Sequence, residues 1–278
     1  MTHNRLPLVL ATALALLAFA GNSLLTRAAL AGGGIAPDSF AAIRLGAGAA
    51  MLLAIGIGRG LAVRPRAADL PGIVALFVYA AAFTRAYVSL GAATGALILF
   101  TSVQTTIVAG GLAGGAGLSL RQGAGILIAL AGLAWLLAPG LATPPIGASA
   151  LMAAAGIAWG VYTLIGRGSD AAVARTARNF IGTIPLALVL VALAGLHGTP
   201  VAMMLAVASG AITSAVGYVI WYSVLPSLSA VTAASLQLLV PVITALGSLI
   251  WLHEPLTTTL TGASLLILAG VALTLRRS

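Results

Sequence analysis

The chain has 278 residues, of which 61% are hydrophobic and 6% charged, with a formal net charge of +9. A water-soluble domain carries about 25% charged residues, so this composition excludes one and makes lipid the natural solvent. The thirteen basic residues are all arginines, spread thinly between apolar runs, which excludes a nucleic-acid surface, and the absence of cysteine excludes disulfide and thiol chemistry.

A bilayer core of about 30 Å takes about 20 helical residues. Ten apolar segments of roughly that length follow one another: Leu6–Thr26, Phe40–Ile57, Leu70–Leu90, Thr94–Gly115, Gly123–Pro139, Ile146–Ile165, Ala174–Leu196, Ala202–Leu225, Ser229–Leu252 and Leu256–Leu275. Gly, Pro or charge separates them, as at Gly32-Gly33-Gly34, Arg64-Pro65-Arg66, Pro144-Pro145 and His253-Glu254-Pro255. Runs this long and continuous predict helices; barrel strands would alternate over about ten residues. Arg5 and Ala18-Phe19-Ala20 give the first segment some features of a cleaved leader. Its apolar stretch runs past the would-be cut, so it reads as an uncleaved first span.

Arginine sets the orientation. With the N-terminus in the cytoplasm, Arg5, Arg59, Arg64, Arg66, Arg121, Arg167, Arg175, Arg178, Arg276 and Arg277 all fall inside, and only Arg27, Arg44 and Arg85 do not. Ten spans then bring both termini to the cytoplasmic side.

A shift of 138 residues lays the second half on the first. Thr94 meets Thr232, Thr106 meets Thr244, Leu118 meets Leu256 and Ala131-Gly132 meets Ala269-Gly270. The expected architecture is an all-α membrane protein of two five-helix repeats, residues 1–140 and 141–278. An odd span count inverts the second repeat, an arrangement that places a carrier's site near mid-membrane between the halves.

Groups for catalysis are scarce. The four acids, Asp38, Asp69, Asp170 and Glu254, lie at segment ends or in loops, and His3, His197 and His253 have no ligand spacing. No enzyme, metal or cofactor is expected. Gly110, Gly111, Gly114 and Gly115 form small-xxx-small pairs that suit close helix packing.

The fifteen aromatics are more telling. Tyr79, Phe83 and Tyr87 recur every four residues on one face of the third span. Tyr218, Trp221 and Tyr222 make a similar stripe on the eighth, and Trp221 is the counterpart of Phe83 under the shift. An interfacial belt or ordinary packing is one reading; aromatic walls of a central cavity explain both stripes together. Trp159 and Tyr162 join them, Trp159 being the counterpart of Gly21 beside Asn22. Buried amides need partners, so Asn22, Gln104 and Gln237 are candidates for cavity lining, with interhelical bonding the alternative. Ser and Thr within the spans read mostly as bonded to their own helices. Arg44 and Arg85 lie toward the outer side. They either snorkel to the interface, with Asp38 in reach of Arg44, or meet a substrate carboxylate at the outer mouth.

Several of these stretches resemble the drug/metabolite transporter superfamily in its EamA-domain form. Ala158-Trp159-Gly160 resembles the Trp-Gly that opens each repeat, and Phe40-Ala41-Ala42-Ile43-Arg44 the arginine-bearing second helix. Leu239–Leu252, Glu254, and Gly262 to Gly270 resemble the family's Pro-containing ninth helix, its terminal Glu and its Gly-bounded tenth helix. The chain departs from the pattern at Gly21-Asn22, which replaces Trp-Gly, and at Ala116, which stands opposite Glu254. Glu254 therefore reads as a structural cap or loop anchor. The resemblance implies a bacterial inner-membrane carrier working by alternating access on a small metabolite. The aromatic walls and lack of buried acids are most similar to the branch exporting aromatic and other neutral amino acids. A drug, nucleoside, sugar or polyamine cargo is the alternative within the fold. Asn22, Tyr79, Phe83, Tyr87, Gln104, Trp159, Tyr162, Tyr218, Trp221, Tyr222 and Gln237 are the expected substrate contacts, and Arg44 and Arg85 the outer-mouth charges. The expected partners are the small-molecule substrate and the lipid bilayer.

Overall fold

The computed structural model describes residues 6–113, 119–138, 143–166, 172–228, 236–237 and 239–275. The readings of His3, Arg5, Gly114, Gly115, Ala116, Leu118, Arg167, Asp170, Thr232, Arg276 and Arg277, and of the start of the ninth segment, lie outside the described residues.

Among the described residues, eight helices are long and apolar enough to cross a membrane. They are α1 (Leu6–Leu30), α2 (Pro37–Gly58), α3 (Leu70–Ala86), α4 (Ala92–Ala113), α5 (Leu120–Leu137), α6 (Ile146–Gly166), α7 (Ala172–Ala194) and α8 (Pro200–Ser227). Two shorter apolar helices follow, α9 (Leu239–Trp251) and α10 (Thr258–Leu275).

Local chemistry sets the helix ends. Pro37 and Pro200 stand in the first turns of α2 and α8, where a missing N–H costs nothing. Ser119 caps α5 in a reciprocal box with Gln122, and the Thr199 hydroxyl accepts from the Ala202 amide at the start of α8. Gly195 ends α7 with φ 74°, a conformation a Cβ would strain. α3 stops at Ala86, short of the expected Leu90, because Tyr87 takes the cap and residues 87–89 turn.

Two spans are irregular. α7 breaks at Thr183, ahead of Pro185, into Ala172–Gly182 and Ile184–Ala194. α8 is wound as a π-helix over Ser209–Val216. Such wide turns are rare and concentrate at functional sites.

The bundle has two polar ends. At one, the isolated bridge Ile35–Gly198 joins the α1–α2 and α7–α8 connections. Arg85 pairs there with Asp38. Arg27 Nε donates to Glu254 Oε1 at 2.7 Å, and its Nη1 reaches the Tyr87 and Val88 carbonyls. Glu254 Oε2 accepts the Ala92 amide at 2.7 Å, capping α4, so the acid anchors a loop as expected. At the other end Arg178, on α7, makes a two-pronged pair with Asp69 at 2.7 and 3.2 Å.

Packing partners recur between the halves. α3 lies on α6 as α8 lies on α1, and α4 on α6 as α9 on α1, while α5 pairs with α10, α2 with α7 and α4 with α9. Small residues permit the close crossings. A Cβ on Gly156 of α6 would sit 2.6 Å from the Leu99 carbonyl oxygen of α4, and one on Gly210 of α8 would strike the Arg44 backbone of α2. Gly110 meets Leu164 in the same way, in line with its expected packing role, but Gly111 faces open space.

Candidate functional site

Part of the aromatic set predicted from helical spacing converges on one cavity. A spacing of four residues, about one turn, places Tyr79 and Phe83 one above the other on α3, with ring centroids 5.3 Å apart. Trp159 of α6 lies 4.9 Å from Tyr79 and 5.0 Å from Tyr218 of α8, bridging the two stripes. Phe19 of α1 closes the group against Tyr218 at 5.8 Å.

These rings surround a cavity of about 30 Å³ lined by Phe19, Asn22, Ser23, Tyr79, Phe83, Leu99, Phe100, Trp159, Thr213, Tyr218 and Gln237. The lining comes from α1, α3, α4, α6 and α8 and from Gln237 just before α9. A water needs about 10–15 Å³ of such space, so the cavity as it stands admits a few waters and nothing much larger.

Behind the Tyr79 and Phe83 rings lies a polar cluster. The Tyr79 hydroxyl accepts from Asn22 Nδ2 at 3.2 Å and from Arg44 Nη2 at 3.1 Å. Ser209 donates to Asn22 Oδ1 at 2.8 Å, and Arg44 Nε approaches the Ser214 hydroxyl at 3.4 Å. Ser209, Thr213 and Ser214 all belong to the π-helical stretch of α8, whose wide turn brings three hydroxyls to the site. Arg44 is 1% exposed, with its guanidinium carbon 5.0 Å from the Tyr79 and Phe83 ring centroids.

Asn22, Tyr79, Phe83, Trp159, Tyr218 and Gln237 are thus brought to one cavity. The other predicted contacts are not. Tyr87 packs edge-on against Phe83 and donates to the Ala92 carbonyl. Trp221 is buried against Phe19, and Gln104 is buried in α4 outside the cavity wall. Tyr162 stacks on Trp159, but with Tyr222 it borders a separate small gap beside Arg175. Arg44 also needs correction as an outer-mouth charge. It lies seven residues into α2, about 10 Å along the axis, and is fully buried. Asp38 pairs with Arg85 instead, because both stand at the bundle's end while Arg44 lies deeper. Phe19, Ser23, Leu99, Phe100, Thr213, Ser209 and Ser214 were not among the expected contacts. Phe19 has no partner at helical spacing to flag it, and Thr213 makes the local helix bond that normally satisfies such a hydroxyl.

Residues 146–276 match the model of the EamA-like transporter family. An uncharacterized protein of Pseudomonas aeruginosa is 47% identical over 271 residues, covering 96% of this chain and 94% of its own length. The chain belongs to the EamA-like transporter family. A solved crystal structure, 22% identical, shares the fold with a TM-score of 0.69 over 95% of this chain and 97% of that one. Membership in the EamA-like family makes the chain a multi-pass membrane protein of a family that transports small molecules, consistent with its apolar spans.

Proposed function

We propose that the chain is an inner-membrane secondary carrier that exports amino acids, aromatic and neutral ones among them, by alternating access. The observation that carries this reading is the cavity shared by both halves, with aromatic faces for an apolar side chain and Asn22, Thr213 and Gln237 for polar ends.

Residues 1–140 and 141–278 act as two inverted five-helix repeats. The exchange of packing partners supports this, since α3 on α6 and α4 on α6 become α8 on α1 and α9 on α1. Leu99 and Gln237, counterparts under the 138-residue shift, both line the cavity. Access alternates by rocking one half against the other. In this reading the ion pairs at the two ends of the bundle act as gates, Arg27–Glu254 and Arg85–Asp38 at one and Arg178–Asp69 at the other. Opening toward either side breaks one set and keeps the other. The arginine bias assigns the Arg178 end and both termini to the cytoplasm. No described carboxylate lines the cavity, which favours a facilitator driven by the cargo's own gradient over proton coupling.

The test is uptake by liposomes bearing the purified protein, with a panel of labelled amino acids and cationic drugs. The reading predicts protein-dependent uptake of neutral and aromatic amino acids. Uptake of a drug and of no amino acid would reject the cargo assignment.

A further inference from the structure

We infer that Arg44 is the anion-binding group for the transported molecule, so the cargo must carry a carboxylate; this rests on the transport reading above.

The argument begins with an unbalanced charge. Arginine keeps its proton in any protein environment, and an intramembrane charge is tolerated when paired or functional. The three ion pairs among the described residues take Arg27, Arg85 and Arg178. Arg44 is more buried than any of them, and its contacts are neutral: the Tyr79 hydroxyl, the Ser214 hydroxyl at 3.4 Å and two ring faces. Its Nη1 is buried without a hydrogen-bond partner. A guanidinium offers five donors in a planar fork, and much of that capacity is unused.

Neighbouring groups turn the same wall into a donor surface. The Tyr79 oxygen already accepts twice, from Asn22 and Arg44, which leaves its own proton to give. Tyr79 and Asn22 both line the cavity, and Arg44 lies directly behind the Tyr79 and Phe83 rings. Guanidinium, phenol and amide together recognise an oxygen acceptor of negative charge. One cation balances one charge, so a carboxylate fits better than a dianionic phosphate, and the aromatic walls suit a cargo with an apolar body. Parting of the rings as the cavity widens would let the carboxylate reach Nη1.

The experiment compares each acid with the isosteric amide, which keeps the α-amine and lacks the carboxylate charge. L-phenylalanine and L-phenylalaninamide, and L-leucine and L-leucinamide, are titrated into purified protein, with binding followed by calorimetry. The acids should bind at least about tenfold more tightly than the amides. Arg44→Lys keeps the charge but not the fork, and Tyr79→Phe removes only the hydroxyl. Each should cut the acid-to-amide ratio by about tenfold in protein whose unfolding temperature shows it is folded. That ratio would not move if Arg44 served packing alone. Equal binding of acid and amide, or an unchanged ratio in both variants, overturns the inference and leaves the carrier reading standing. Binding of neither series overturns the amino-acid reading and this inference together.

Discussion

Arg27 on α1 and Glu254 in the loop before α10 hold each other at 2.7 Å across 227 positions of sequence. The same carboxylate caps α4 through the Ala92 amide, and the same guanidinium reaches the carbonyls after α3. One ion pair therefore ties four helices together at one end of the bundle. Glu254→Gln presents an amide N–H₂ toward donors and should destabilise the protein by about 1 kcal/mol. A double-mutant cycle with Arg27→Gln, read by thermal unfolding in detergent, should show a coupling of similar size. Additive single effects would mean the two side chains act separately.

The opposite end depends more heavily on a single pair. Arg178 and Asp69 have side chains only 10% and 6% exposed. Removing one partner of a buried pair strands the other, at a cost of about 3–5 kcal/mol. Asp69→Leu alone should sharply reduce folded yield, and adding Arg178→Met should recover much of it. A double variant worse than either single one would contradict the assignment.

Close crossing of α4 and α6 gives a test with an internal control. A Cβ on Gly156 would press on the Leu99 carbonyl and on Ser102 Cβ at 2.5 Å, whereas one on Gly111 meets nothing within 4 Å. Gly156→Ala should destabilise by about 1–3 kcal/mol through overpacking. Gly111→Ala should be neutral or stabilise by about 0.5–1 kcal/mol through helix propensity. Thermal unfolding of the two variants decides it.

Aromatics inside and outside the cavity wall should behave differently. Phe83→Leu retains bulk but removes a ring that faces both cavity and guanidinium. Transport should fall about tenfold with little change in folded yield. Trp221 packs on Phe19 away from the lining, so Trp221→Leu should cost stability more than transport. Equal loss of yield and transport in both would point to packing alone.

Much of this architecture is legible in the sequence because lipid imposes simple rules. Apolar runs of fixed length locate the helices, and spacing by four puts Tyr79 over Phe83. The resemblance marks Trp159, which then bridges the halves. Other features are not legible, for physical reasons. A period of 3.6 is assumed in reading any helix, so the π turns over Ser209–Val216 leave no trace in the pattern. Tyr222 shares a stripe with Tyr218, yet only Tyr218 reaches the cavity, because Tyr222 lies one turn further along the same regular helix, at the separate gap beside Arg175. Asp38 looks like the natural partner for Arg44 in the same helix, but six residues of rise, about 9 Å, separate them.

The most direct measurement uses the absence of cysteine. Thr213 lines the cavity on the π-helical stretch, and its hydroxyl bonds only its own helix among the described residues. Thr213→Cys therefore places the one thiol of the protein at the centre of the proposed path. A membrane-impermeant thiol reagent is applied to right-side-out and to inside-out vesicles, with and without L-phenylalanine. Alternating access predicts labelling from both faces, slowed by the amino acid in each case. Labelling from one face only, or from neither, would contradict a cavity that opens to the two sides in turn.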